Sequence, residues 1–132
     1  MADLLPPEPE DVDLEVARAL WAAGDPVLDV RTPEEYAAGH ISGAINVPLD
    51  TLAFRLDSLP PGQVLTVCSL GNRSRRGAER LAHLGRPALS LRGGTKAWAA
   101  AGLPIRTGAE PGPRRARPWW RRWRRSFIGW GR

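Results

Sequence analysis

Short apolar runs alternate with capped helical stretches along most of this 132-residue chain, and that alternation leaves few folds open. Val27-Leu28-Asp29-Val30, Ala44-Ile45-Asn46-Val47-Pro48, Val64-Leu65-Thr66-Val67 and Ala88-Leu89-Ser90-Leu91 read as strands. The stretches between them carry helix punctuation. Asp13 caps a helix through Leu14, Val16, Ala17, Leu20 and Trp21 that stops at Gly24-Asp25-Pro26. Thr32-Pro33-Glu34-Glu35 is a compact start, with threonine as cap, proline in the first turn and Glu35 closing a capping box. That helix is brief, because Gly39-His40-Ile41-Ser42-Gly43 interrupts it. Asp50 or Thr51 starts a helix carrying Leu52, Leu56 and Leu59, ended by Pro60-Pro61-Gly62. Another runs from Arg75 to Leu84 and closes at Gly85, and a last one follows Gly93-Gly94-Thr95 through Ala97, Trp98 and Ala101. The pattern predicts an α/β domain with a mostly parallel sheet.

The length suits one domain with a sizeable core. Its net charge of +5 is an average over two unlike parts. Residues 1–107 carry ten arginines and one lysine against thirteen carboxylates, net −2, whereas residues 108–132 carry eight arginines against Glu110, net +7. Gly108-Ala109-Glu110-Pro111-Gly112-Pro113 is a linker by composition, and residues 114–132 form a basic tail holding four of the six tryptophans. No apolar stretch approaches the ~20 residues of a membrane span. The acidic, proline-broken start, Met1 to Glu8, lacks the pattern of a signal peptide. One cysteine cannot form an internal disulfide. A cytoplasmic monomer is the expectation.

That cysteine, Cys68, directly follows the apolar run Val64–Val67 and precedes Ser69-Leu70-Gly71-Asn72-Arg73-Ser74. A lone cysteine is commonly a small buried hydrophobe. Here the pattern is a strand, a tight polar loop, and a serine able to cap a helix beginning near Arg75. A thiol so placed faces backbone N–H groups, a helix N-terminus and a guanidinium, all of which favour its thiolate.

Four spaced segments of the chain resemble the rhodanese family of thiosulfate:acceptor sulfurtransferases, in that family's order. They are Leu28-Asp29-Val30-Arg31-Thr32-Pro33-Glu34-Glu35-Tyr36, Gly39-His40-Ile41-Ser42-Gly43-Ala44-Ile45-Asn46-Val47-Pro48, Cys68 to Ser74, and Gly93-Gly94 with Ala97-Trp98 and Gly102-Leu103-Pro104. The likeness covers roughly Leu14 to Ile105, so residues 1–107 are expected to form the domain. It implies a rhodanese-like open parallel sheet flanked by helices, with the reactive cysteine beyond a central strand. It also implies that Cys68 carries a persulfide taken from thiosulfate or another sulfane-sulfur donor and passed to cyanide, a small thiol or a protein thiol. No cofactor and no metal are implied. Ser69, Leu70, Gly71, Asn72, Arg73 and Ser74 would bind the anionic substrate, Arg73 by forking onto its oxygens. The family often has a polar or basic residue just after the cysteine; Ser69-Leu70 here bear on which acceptor fits.

Two competing classes stand beside this reading. One is a catalytically quiet rhodanese-like binding or scaffold module. The other is a cysteine-dependent phosphatase or arsenate reductase, opposed by the arginine's position: phosphatases of this kind place it six residues after the cysteine, where this chain has Ser74. Asp29 and Arg31 are read as a supporting pair that pins loops, and His40 as structural rather than as a base. In the tail, Trp120, Trp123, Phe127 and Trp130 recur at helical spacing, opposite Arg121, Arg122, Arg124 and Arg125. That pattern suits an anionic membrane surface, which would place the protein at the inner membrane face; single-stranded nucleic acid is the competing partner.

Overall fold

A computed structural model describes residues 10–113, so the N-terminal segment and the Arg/Trp tail assigned to residues 114–132 lie outside the described residues. The elements are β1 (Glu10–Val12), α1 (Leu14–Ala23), β2 (Val27–Asp29), α2 (Pro33–Ala38), β3 (His40–Ile41) and β4 (Ile45–Asn46). They continue as α3 (Leu52–Arg55, with a 3₁₀ turn on either side), β5 (Val64–Val67), α4 (Asn72–His83), β6 (Ala88–Leu91), α5 (Gly94–Ala100) and β7 (Ile105–Arg106).

Five strands form one parallel sheet in the order β1-β6-β5-β2-β4. β3 and β7 make a separate antiparallel pair, matching His40 with Arg106 and Ile41 with Ile105. All four residues of β5 are buried, as a strand covered on both faces requires. Alternation divides its neighbourhood into two layers: Leu65 and Val67 join Ala17, Trp21, Tyr36, Ile41 and Trp98, whereas Val64 and Cys68 join Leu52, Ala78 and Leu81. Trp21 and Trp98 meet edge to face, centroids 5.5 Å apart and planes at 71°. Each indole N–H donates to a backbone carbonyl, Trp21 to Ser42 at 2.7 Å and Trp98 to Pro104 at 2.9 Å, so two large rings are buried with no donor left unpaired.

The local signals hold where the interactions are local. Asp13 caps α1 through Val16 N–H at 3.1 Å, and Thr32 and Glu35 close the capping box of α2. Differences arise where distant partners decide. The predicted strand Ala44–Pro48 keeps only Ile45–Asn46, which lie opposite Leu28 and Asp29, with Val47 N–H still donating to Asp29 O at 2.9 Å. The helix expected from Asp50 to Leu59 divides into a short α-helix between two 3₁₀ turns. β1 and β7 are brief strands created by their pairing with β6 and β3. Residues 108–113, a linker in composition, are tied to the body: Gly108 N–H donates to Ala37 O at 2.8 Å and Gly43 N–H to Pro111 O at 2.7 Å.

Along the chain, β4 lies to one side of β2 and β5 and β6 lie to the other. The carboxyl ends of β2 and β5 therefore flank a topological switch point, where open α/β sheets hold their ligands. Gly94 closes one side of that point. Its φ of +61° lies in the left-handed region, and a Cβ there would collide with the carbonyl oxygens of Cys68 and Ser69, main-chain atoms that cannot swing aside. Gly94→Ala is expected to destabilise the protein by about 2–4 kcal/mol in urea titration. Gly85→Ala, at φ +84° but with open space around it, should lose only about 1–2 kcal/mol.

Candidate active site

β5 carries Cys68 to the switch point, and the start of α5 holds it there. Thr95 N–H donates to Cys68 O at 2.8 Å and Lys96 N–H to Ser69 O at 3.2 Å. The chain then turns at Gly71, whose φ of +119° is open to glycine and strained for other residues, and α4 begins at Asn72. This is three residues earlier than the sequence pattern predicts. Gly71, not Ser74, occupies the cap, so Arg73 and Ser74 belong to the first helical turn. Successive residues of a helix point about 100° apart, and these two accordingly face different surroundings.

Cys68 is 1% exposed, and its sulfur lies among hydrogen-bond donors. Gly71 N–H donates to Sγ at 3.0 Å, Ser74 Oγ lies 3.4 Å away, and the N–H groups of Leu70 and Ser74 also face the sulfur. Burial is the strongest single influence and pushes the thiol pKa up. The Ser74 hydroxyl, followed by the N–H groups of Ser74, Gly71 and Leu70, acts in the opposite sense, and together they hold Cys68 below its ordinary value. The donors thus more than offset burial, in a place where an unassisted charge would not survive.

The rim is set by a contact the sequence does not signal. Arg73 forks onto Glu35 of α2, with Nη1 donating to Oε1 at 2.7 Å and Nη2 to Oε2 at 2.8 Å. The fork expected to meet substrate oxygens is therefore occupied, although Nε–H and the outer N–H of each terminal nitrogen are not engaged by the carboxylate. Glu35 had shown only its capping-box role in the sequence. Ser69 Oγ lies 3.4 Å from Arg73 Nη2 and 3.5 Å from Glu35 Oε2, which joins the loop's first residue to the pair. Leu70 projects outward, 60% exposed, and Asn72 is exposed at the helix start.

Asp29 and Arg31 lie buried at the end of β2. Arg31 donates to both Asp29 oxygens, through Nε at 2.9 and 3.1 Å and Nη2 at 2.7 Å, and Nη2 also reaches Gly39 O at 2.7 Å. Asn46 Nδ2 spans Asp29 O and Arg31 O at 3.0 and 2.9 Å. The pair thus ties β2, β4 and the turn before β3, which is a loop-pinning arrangement. His40 stacks on Tyr36 with ring centroids 3.6 Å apart, and its nitrogens face the carbonyls of Tyr36 and Pro111. It makes no hydrogen bond to Cys68. Two residues outside the predicted set also adjoin the site. Thr95, buried, has a hydroxyl with no partner among the described residues, and Ser90 of β6 hydrogen-bonds Ser74. A polar residue at a core-facing strand position was the signal available for Ser90.

A family profile described as "Rhodanese-like domain" matches residues 13–101. Thiosulfate sulfurtransferase 16, chloroplastic, from Arabidopsis thaliana is 38% identical over 112 residues, covering 74% of this chain and 93% of the relative. Thiosulfate sulfurtransferase PspE of Escherichia coli is 36% identical over 72 residues, 52% of this chain and 69% of the relative. Among solved structures, a rhodanese-related protein from Thermoplasma volcanium superposes with a TM-score of 0.68 at 28% identity, covering 76% of this chain and 99% of the other.

The Glu35–Arg73 pair has a pH signature. Hydrogen bonds from Arg73 are the main cause that lowers the Glu35 pKa from 4.5 to about 2, with burial opposing and Thr32 assisting. A carboxylate depressed on folding stabilises fully above its unfolded pKa and loses that contribution as pH falls through its folded one. Both partners are about a third exposed, at 37% and 35%, so solvent screening reduces the contribution to about 1 kcal/mol. Glu35→Gln keeps the capping box and removes the charge. Urea titrations should place it about 1 kcal/mol below wild type at pH 7, with the gap closing between pH 4.5 and 2.

Proposed function

Because the chain belongs to the rhodanese family, we propose that it transfers sulfane sulfur through a persulfide on Cys68. The observation that carries this reading is the sole thiol, held below its ordinary pKa inside a set of N–H and O–H donors. The thiolate attacks the outer sulfur of thiosulfate. A Cys68 Sγ–S bond forms, the S–S bond of thiosulfate breaks, and sulfite leaves with the electron pair. The enzyme then carries one negative charge on the outer sulfur. Cyanide or a thiolate attacks that sulfur, the Sγ–S bond breaks, and the Cys68 thiolate is restored.

In this scheme the donors around Sγ stabilise the nucleophile before reaction and the leaving thiolate after it. Arg73 supplies a fixed cation at the rim through the N–H groups that Glu35 and Ser69 do not engage, while the pair holds the loop against α2. Leu70 presents an apolar edge to the acceptor. A quiet binding module would gain nothing from a thiol set among donors at the switch point, which favours the catalytic reading.

Incubation with thiosulfate followed by intact-mass analysis should add one sulfur atom to the protein, and cyanide should remove it. Cys68→Ser should neither gain the sulfur nor form thiocyanate, while keeping a cooperative unfolding transition. A serine variant with substantial turnover would exclude the mechanism. Arg73→Ala should lower kcat/KM for thiosulfate by roughly tenfold, about 1.5 kcal/mol, the lower end for a charge-assisted hydrogen bond because the fork itself serves Glu35. Sulfur release to cyanide should change less, and equal kcat/KM in both proteins would remove Arg73 from donor binding.

A further inference from the structure

Ser90 lies in β6 at a position that faces α4, on the same side as Ala88 and opposite Thr66 of β5, and these two hydroxyl residues interrupt a layer of apolar side chains. It is 1% exposed, and its hydroxyl has one side-chain partner, Ser74 Oγ at 2.8 Å. Ser74 Oγ in turn lies 3.1 Å from Gly71 O and 3.4 Å from Cys68 Sγ. The backbone of Ser74 is anchored separately, its carbonyl accepting from Thr66 Oγ1 at 2.8 Å.

Each hydroxyl has one proton and two lone pairs, and that count sets the direction of the chain. If Ser74 donated to Ser90, the proton of Ser90 would be buried with no acceptor, which costs the full desolvation of that group. Ser90 must therefore donate to Ser74. The Ser74 proton is then left with two acceptors, Gly71 O and Cys68 Sγ. Gly71 O does not depend on it, because Arg75 N–H also donates there at 3.2 Å.

We propose that Ser90 is a positioning residue of the sulfur site, directing the Ser74 proton so that it follows the charge on Cys68. With the thiol, S–H donates to the second lone pair of Ser74 Oγ and Ser74 donates to Gly71 O. With the thiolate, the Ser74 hydroxyl turns and donates to Sγ, while Gly71 O keeps Arg75 N–H. When charge moves to the outer sulfur of a persulfide, the proton returns to Gly71 O. No bond to a heavy atom changes; one hydroxyl rotates, and the donation from Ser90 polarises it as it does so. The role rests on Cys68 being the reacting sulfur, and its test requires no sulfur transfer.

The test is the rate of Cys68 alkylation by iodoacetamide as a function of pH, read by intact mass on the full chain, whose single thiol makes the signal unambiguous. Ser90→Ala should raise the apparent pKa of the thiol by about half a unit, from the lost polarisation of one bond to a charged acceptor. Ser74→Ala should raise it further, and adding Ser90→Ala to Ser74→Ala should change nothing more. Ser90→Thr and Ser90→Val have one shape, and only threonine keeps the donor, so threonine should match wild type and valine should follow alanine. Ser90→Ala coinciding with wild type, an equal shift in the Ser74→Ala background, or threonine and valine behaving alike would each overturn the role. Alkylation uses no sulfur donor, so these results can fail while thiosulfate still loads Cys68, and the converse is equally distinguishable.

Discussion

A sulfur held below its ordinary pKa although it is 1% exposed is the constraint around which this structure is organised. Burying an unassisted charge costs far more than a small domain can spare, so donors must converge on the atom from several elements. The N–H groups come from the turn into α4, which needs Gly71 at positive φ. The hydroxyl comes from the first turn of that helix. The carbonyls of Cys68 and Ser69 must point elsewhere, and the start of α5 accepts that task through Thr95 and Lys96 N–H. Gly94 follows from the closeness of that approach. One electrostatic requirement thus reaches from β5 into two helices and dictates glycine at two places.

Two ion pairs flank the switch point and differ in environment. Asp29–Arg31 is buried, and every oxygen of the carboxylate is occupied. Removing one partner of such a pair leaves an uncompensated charge, at about 3–5 kcal/mol. Glu35–Arg73 is partly exposed and contributes less to stability, yet it joins the starts of the helices that follow β2 and β5. The buried pair secures the platform on which α2 stands. The half-exposed pair connects α2 to the first turn of α4 beside the sulfur loop, and the second N–H of Arg73 Nη2 reaches Ser69 Oγ.

What could be read from the sequence follows the range of the interactions involved. The Asp13 cap and the Thr32–Glu35 box span three residues and are visible in the chain; the same holds for the strand that delivers Cys68. Glu35 also pairs with Arg73, thirty-eight residues away, and no local pattern announces that second role. The early start of α4 depends on Gly71 adopting positive φ to bring its own N–H onto Sγ, a tertiary demand that overrides the attraction of Ser74 as a cap. Ser90 was visible only as a polar residue in an apolar strand. Its partner became evident once β6 and α4 were placed side by side.

The position of the arginine has a consequence that helix geometry makes plain. Moving one residue along α4 rotates a side chain by about 100°. At position 73 the guanidinium points toward Glu35 at the rim, and at position 74 a hydroxyl points toward the sulfur. An arginine at position 74 would instead sit against Sγ, in the spot where three transferring phosphoryl oxygens would gather in phosphate chemistry. The site as built has a small neutral donor at its floor and its cation outside, balanced by a carboxylate. That arrangement suits the proposed transfer, in which the charge on Cys68 would depart and return: a hydroxyl can reorient between thiolate and persulfide, whereas a buried guanidinium would hold the charge in one place.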